Sequence, residues 1–337
     1  MAYSSFIKSN RGVNNMSHEI EFKDGRYCFA YAGEEPWHKL GKKVPSDLAP
    51  NQMLEAAGLD WEVSKVPGYA DINGKRIRLD HELLVRNDTG QILDEVTADW
   101  KQVQNSEAAQ FFNQFIEEGS MKMETAGSLK GGQIVFFLAK VDDSFELFNG
   151  DKVDSYLLFS NIHRYGQSTS VQFNPIRVVC NNTFTLAMSE KVKNIVKITH
   201  RKQFDHSEVK TLLGIAKSKM GNYKETASFL GNKKAAKEDI VEYFQRIFPV
   251  QKDSEKKFSK NASAALNVME TQPGANFAEG SWWQTFNTVT FMADHCMGRS
   301  ENTRLESSWY GKNRQIKLDA MKLAVEYAEK SPALIAA

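Results

Sequence analysis

The side chains best suited to chemistry concentrate between residues 164 and 202. Arg164-Tyr165 pairs a cation with a ring that can stack on a nucleobase. Arg177 precedes the apolar run Val178-Val179-Cys180 and the polar triplet Asn181-Asn182-Thr183. Its guanidinium has the fork geometry that matches a phosphate. Asn182 or Thr183 reads as the cap of a following helix, whose first N–H groups favour an anion. Two readings of the triplet stay open: helix capping alone, or capping with an anion docked on it. Lys191, Lys193, Lys197, Arg201 and Lys202 follow in the densest basic segment. Read as a helix, Lys193, Lys197 and Arg201 recur every fourth residue on one face. Such a row repels itself, and a polyanion would relieve the repulsion while releasing its own counterions. The bland counterpart is a solvated helical face. Arg86, Lys101 and Lys130, with Arg76 and Arg78, fall on or near strands where they would line a groove.

Covalent chemistry has little support. The seven histidines are dispersed, and neither His-x-x-x-His, Gly-x-Ser-x-Gly nor a phosphate-binding Gly-x-x-x-x-Gly-Lys-Thr occurs. Cys296 follows Asp294-His295, but neighbours on a helix point about 100° apart. Asp142-Asp143 suggests a metal nuclease only weakly, because adjacent strand residues face opposite sides. The expectation is a protein that is not an enzyme and has no cofactor and no metal, with a metal-dependent nuclease as a minor alternative.

Net charge is +1, yet residues 1–150 carry 16 Lys and Arg against 23 Asp and Glu, and 151–260 carry 20 against 11. A basic middle suits a polyanionic partner. At 41% apolar and 25% charged, the 337 residues are ordinary for a globular chain with one large or two average domains. Three scattered cysteines suggest a reducing compartment. No stretch reads as a membrane span or a secretory signal, so a cytoplasmic location is expected.

The elements that must position these residues read as α+β. Residues 1–30 look like an N-terminal extension, 31–190 like an α+β core domain, and 191–337 like a helical region. Trp37, in a Pro- and Gly-punctuated loop, reads as an anchor to the core. A short helix over 51–58 precedes a three-stranded meander of Trp61–Val66, Ile77–Val85 and Ile92–Val103, turned at Asn73-Gly74 and at Asn87-Asp88-Thr89-Gly90. Asn105 or Ser106 caps a helix with Ala108, Phe111, Phe112, Phe115 and Ile116 on one face. Strands follow at Met121–Ala126 and Gly132–Val141. The unbroken Ile134-Val135-Phe136-Phe137-Leu138 predicts burial on both faces. Tyr156–Phe159 and Ser170–Phe173 make another pair, joined by His163-Arg164-Tyr165-Gly166. After about residue 182 the segments read as helices, among them 184–193, 207–223, 234–247, 263–269, 281–297 and 313–330. Trp282-Trp283, Phe286 and Phe291 would pack such a helix on the sheet.

Pro36-Trp37-His38-Lys39-Leu40-Gly41, Arg86-Asn87-Asp88-Thr89-Gly90, Gln102-Val103-Gln104-Asn105, Arg177 to Thr183 and Trp283 to Thr290 occur in that order. Together they resemble the landmarks of a phage- and plasmid-encoded family with a domain of unknown function, over about residues 27–325. The resemblance implies a mobile-element origin and no activity. Where that family has Tyr-x-Asp-His, this chain reads Met292-Ala293-Asp294-His295, without the tyrosine. The element order is also similar, at fold level, to phage single-strand annealing proteins of the Redβ, RecT and Erf types. The expected function is therefore a single-stranded DNA-binding protein of a phage or mobile element that promotes strand annealing in recombination. It would work as a homo-oligomeric ring or filament, with a host single-strand-binding protein as a further partner. Arg86, Lys101, Lys130, Arg164, Tyr165, Arg177, Asn181, Asn182, Lys191, Lys193, Lys197, Arg201 and Lys202 would contact the nucleic acid. The alternative is a phage-encoded interaction protein that inhibits a host defence system.

Overall fold

Two sequence patterns, the Phe-rich helix near residue 110 and the apolar run near 136, meet in one layer contact that organises the chain. The computed structural model describes residues 19–36, 39–117, 121–148, 150–177, 182–183, 195–198, 214, 221–250, 256–298 and 304–334. It is an α+β fold in which strands dominate the first half and helices the second.

The central sheet has eight strands. These are β3 (Phe29–Tyr31), β4 (Lys42–Lys43), β8 (Met121–Leu129), β9 (Ile134–Leu147), β10 (Asp151–Ile162), β11 (Thr169–Arg177), β12 (Asn182–Thr183) and β13 (Ile195–Ile198). Their order is β12-β11-β10-β9-β8-β3-β4, with β13 also paired to β11. A separate sheet holds β5 (Val63–Ile72), β6 (Lys75–Arg86) and β7 (Ile92–Val96), and a small ribbon holds β1 (Phe22–Lys23) and β2 (Arg26–Tyr27).

Alternation along β9 explains its unbroken apolar run. Val135, Phe137 and Ala139 enter one core cluster, and Ile134, Phe136 and Leu138 enter another on the opposite face. The first face is covered by α1 (Pro50–Ala56), α2 (Asn105–Glu117), α3 (221–231), α4 (Lys237–Ile247), α5 (Lys260–Val268), α6 (Trp282–Phe291) and α8 (Lys312–Lys330). Phe111 and Phe112 of α2 pack on Phe159 and Phe137, at ring separations of 5.4 to 6.2 Å. The second face is covered by Trp309 and Leu305 of α7 (Arg304–Trp309) with Ile20 and Tyr27. The segment from Glu19 onward is thus built into the sheet.

Helix α6 is buried along nearly its whole length. The indole N–H of Trp283 donates to the buried Asp151 carboxylate at the start of β10, at 3.0 Å, and that of Trp282 donates to Ser331 Oγ at 2.8 Å. The expected helix over 281–297 changes at Met292 into a π-helical turn, Met292–Cys296. That turn directs Asp294 at the buried Lys317 of α8, at 2.7 Å.

Three expectations are corrected. Ile195–Ile198 is a strand, paired antiparallel with Thr169–Gln172, and not part of a helix. Ile, Val and Ile in four positions favour the pleated conformation once a partner edge is present. The every-fourth-residue row of Lys193, Lys197 and Arg201 therefore has no helical basis at Lys197. Asn182–Thr183 pairs as β12 with Arg177 and Ile176, and the helix that either residue was expected to cap lies outside the described residues. Asn105 does not cap α2: its amide turns inward and donates to the carbonyls of Leu59 and Trp61, while Glu107 accepts from the Gln104 N–H. The third meander strand ends at Val96, because Thr97 and Asp99 close a turn that brings the Trp100 N–H to the Thr97 carbonyl. The expected anchor Trp37 and the expected helix over 184–193 lie outside the described residues, as does most of 207–223.

Candidate nucleic-acid interface

The β5–β6 hairpin is longer than the sheet it belongs to. Register pairs Val63 to Pro67 with Arg86 to Glu82, shifts at Gly68, and resumes from Tyr69↔Arg78 to Ile72↔Lys75. The irregularity re-aims the strands. Beyond it, Asp71 to Arg78 are all exposed, ending in the Asn73-Gly74 turn in which both residues have positive φ. Four residue pairs at about 3.3 Å each make an arm of roughly 13 Å.

Alternation gives the arm two unlike faces. Tyr69, Asp71, Arg76 and Arg78 share one, and Ala70, Ile72, Lys75 and Ile77 share the other. On the first, the Arg76 guanidinium lies over the Tyr69 ring, 4.4 Å from its centroid. Tyr69 opposes Arg78, so Arg76 reaches it diagonally, within range of a long side chain. Arg78 approaches Glu82 only at 3.9 Å and is 62% exposed, leaving its fork mostly solvated. A solvated ring flanked by two guanidiniums can stack a base and hold the adjoining phosphates. The second face leaves Ile72 and Ile77 about half exposed.

The residues singled out from sequence separate sharply. Arg86 is fully buried and is no contact for a polyanion. Its Nη1 donates to Glu21, its Nε and Nη2 fork onto Asp88 at 2.7 and 3.0 Å, and the Trp61 ring lies 4.1 Å from the guanidinium. Burial alone would lower its pKa, but the bonds to Asp88 and the charge of Glu21 hold it above the ordinary value. Lys130 is committed as well, pairing with Glu306 of α7 at 2.7 Å and with Glu19 at 4.0 Å. Arg164 is half-buried in the β10–β11 loop, within electrostatic reach of Glu19. Tyr165 in the same loop is exposed, its backbone N–H donating to Asp94 at 2.8 Å. Lys101 is exposed in the segment leading to α2. Arg177 stands on β11, and Asn182 and Lys197 on β12 and β13, which both pair with β11 at one side of the central sheet. Asn181, Lys191, Lys193, Arg201 and Lys202 lie outside the described residues. His163, beside Arg164, is buried: its Nε2 lies 3.1 Å from Asn105 Oδ1 and its ring 5.5 Å from that of Trp61.

Residues 92–311, well over half of the chain, match the family model described as a domain of unknown function, DUF932. The chain belongs to the DUF932 family. No curated protein and no solved structure matches significantly. The DUF932 segment begins at β7 and ends just after α7, so it contains most of the central sheet and excludes the β5–β6 arm.

Tyr69 and Lys75 do not stand out in the sequence. The signal is there in part: Asn73-Gly74 marks a hairpin, and alternation then places Tyr69 with Arg76 and Arg78. What the sequence lacks is the length by which the hairpin outruns its neighbours. Cys296, read from sequence as a candidate nucleophile, lies at the end of the π turn, where partial burial of its sulfur raises the thiol pKa, opposite to activation. The His295 ring packs on Phe291 at 5.0 Å, and Asp294 is held by Lys317. No helix among the described residues is long and apolar enough to cross a membrane.

Proposed function

We propose that this chain, encoded by a phage or plasmid, binds single-stranded DNA and promotes strand annealing as a homo-oligomer. The observation that carries the reading is the protruding β5–β6 arm, with Arg76 stacked on Tyr69 and Arg78 beside them. Stacking on an aromatic ring is tolerant of sequence, and arginines track the backbone, which together suit a protein that must hold any single strand. The opposite face, with Ile72 and Ile77, suits contact with a neighbouring copy, so that arms line up along a strand. Tyr165 and Lys101 would extend the track. No nucleotide and no covalent step is required.

The test is fluorescence anisotropy of labelled single-stranded and duplex DNA across a salt series, with mass measured in parallel. The expected result is single-strand preference with a steep negative salt slope. Arg76→Glu with Arg78→Glu should weaken binding and make the slope shallower by about 0.7 for each phosphate no longer neutralised. Tyr69→Ala should cost about 1 to 3 kcal/mol of binding. Unchanged affinity in a folded triple variant would remove the arm from the reading. If Ile72→Asp with Ile77→Asp abolishes assembly in a chain that never binds DNA, the protein-binding alternative, inhibition of a host defence system, takes its place.

A further inference from the structure

The second face of the central sheet holds a cavity of about 440 Å³ beneath α7, remote in chemistry from the arm. Its apolar walls are Phe29, Leu138, Ile176, Leu305 and Trp309, and its rim is the 32–36 segment. That volume lies within the range of small-molecule sites. Lys140 and Tyr156 are register partners on its floor, and Asp154 lies two residues along β10. Asp154 is almost fully buried and takes both lysines of the cavity, Lys140 at 2.5 Å and Lys152 at 3.5 Å. Glu124 is the extra residue of a bulge in β8, at the register shift between Met123 and Thr125. A bulge re-aims a side chain, here to the cavity. Gly33, with φ +79°, leaves the approach open, since a Cβ there would lie 3.2 Å from Glu124 Oε1.

With Lys140 bonded to Asp154, the Glu124 carboxylate and the Tyr156 hydroxyl line the cavity with no hydrogen bond to another described residue, and Asp154 Oδ1 is buried there without one. Tyr156 is only 8% exposed, and it lines the cavity. A phenol so buried ordinarily has a hydrogen-bond partner. Among the described residues, Glu34, Glu35, Glu124 and Asp154 against Lys140 and Lys152 leave the lining two charges negative. Phosphates and carboxylates are therefore disfavoured, which sets this cavity apart from any DNA track.

We propose that this cavity is a binding site for a small organic cation with an apolar body. Its ammonium or guanidinium group would pair with Glu124 and donate to the Tyr156 hydroxyl, with the body against Phe29, Leu138 and Trp309. Burial raises the Glu124 pKa above the ordinary carboxylate value, with Lys140 opposing and Asp154 and Glu34 adding, so affinity should fall as pH drops and that carboxylate takes up a proton. Burial, with the nearby carboxylates, also raises the Tyr156 pKa and keeps the phenol neutral.

The test is isothermal titration of the full chain with tryptamine, N-acetyltryptamine and indole-3-acetate, which differ in charge on one aromatic body. Expected is saturable one-to-one binding of tryptamine, with both analogues at least tenfold weaker. Glu124→Gln should weaken tryptamine at least tenfold, and Tyr156→Phe, which keeps the packing, a few-fold. Equal binding of all three probes, preference for the uncharged one, no saturable binding of tryptamine at millimolar concentration, or unchanged affinity in Glu124→Gln would each overturn the proposal. DNA binding by the arm is a separate readout and should be unaffected by either substitution.

Discussion

Replacing Arg86 by Met should unfold this protein far more readily without touching its ligand contacts. The guanidinium is fully buried, and the Glu21 carboxylate it holds is only 7% exposed. Gly132, with φ +94°, makes room for it, since a Cβ there would sit 3.1 Å from Nη1. Removing one partner of such a buried pair leaves an uncompensated charge and costs about 3 to 5 kcal/mol. The Asp88 half contributes less, because Asp88 is about a quarter exposed and retains Lys23. The cation–π interaction with Trp61, about 1 to 2 kcal/mol when desolvated, overlaps with the same cost and is not added to it. With a urea m-value of about 3 kcal/mol/M, the midpoint should fall by roughly 1 to 2 M at unchanged slope. Adding Glu21→Met removes the stranded carboxylate and should restore most of the stability, because a buried ion pair is commonly replaceable by apolar groups. Denaturation followed by fluorescence and circular dichroism measures both variants. A midpoint within about 0.3 M of the parent for Arg86→Met, or a double variant weaker than the single one, would refute the reasoning. Single-stranded DNA binding, measured well below the transition, should match the parent.

Two further outcomes follow from buried charges. Burial, the hydrogen bond and the charge of Glu306 push Glu19 up to about 7, against the pull of Lys130 and Arg164. The folded state thus binds a proton that the unfolded chain gives up near 4.5, so stability should fall as pH rises from about 4.5 to 7 and level off above. Glu19→Gln should flatten that slope and stabilise the protein above pH 7, as thermal melts across pH would show; an unaltered slope would count against the pair. Asp294→Asn should cost about 3 kcal/mol by removing the carboxylate charge set against the buried Lys317 ammonium, whose pKa burial already lowers against the pull of Asp294. Asp294→Asn with Lys317→Met should recover much of it in urea denaturation.

Local pattern determined a good deal of this molecule by itself. Asn73-Gly74 can only turn a hairpin tightly, since both positions take positive φ. The run from Ile134 to Leu138 has no polar face to offer water, so its strand had to be covered on both sides, as it is. The spacing of Ala108, Phe111 and Phe112 put one stripe of α2 against the sheet, and the α+β class followed from strands preceding helices. Tertiary structure alone decided what each charge meets. Arg86 and Arg76 are both arginines of the one strand β6, yet one is sealed against Glu21 and Trp61 while the other lies open on Tyr69. Lys197 took strand conformation because the edge of β11 supplied hydrogen bonds from Ser170 and its neighbours, 27 residues earlier in the chain. The Glu124 and Tyr156 cavity likewise needed a bulge, a register and a distant helix to assemble. Helix and turn propensities act over a few residues, whereas strand pairing and desolvation depend on partners far away in the chain. Composition and spacing therefore reveal the first and leave the second to the fold.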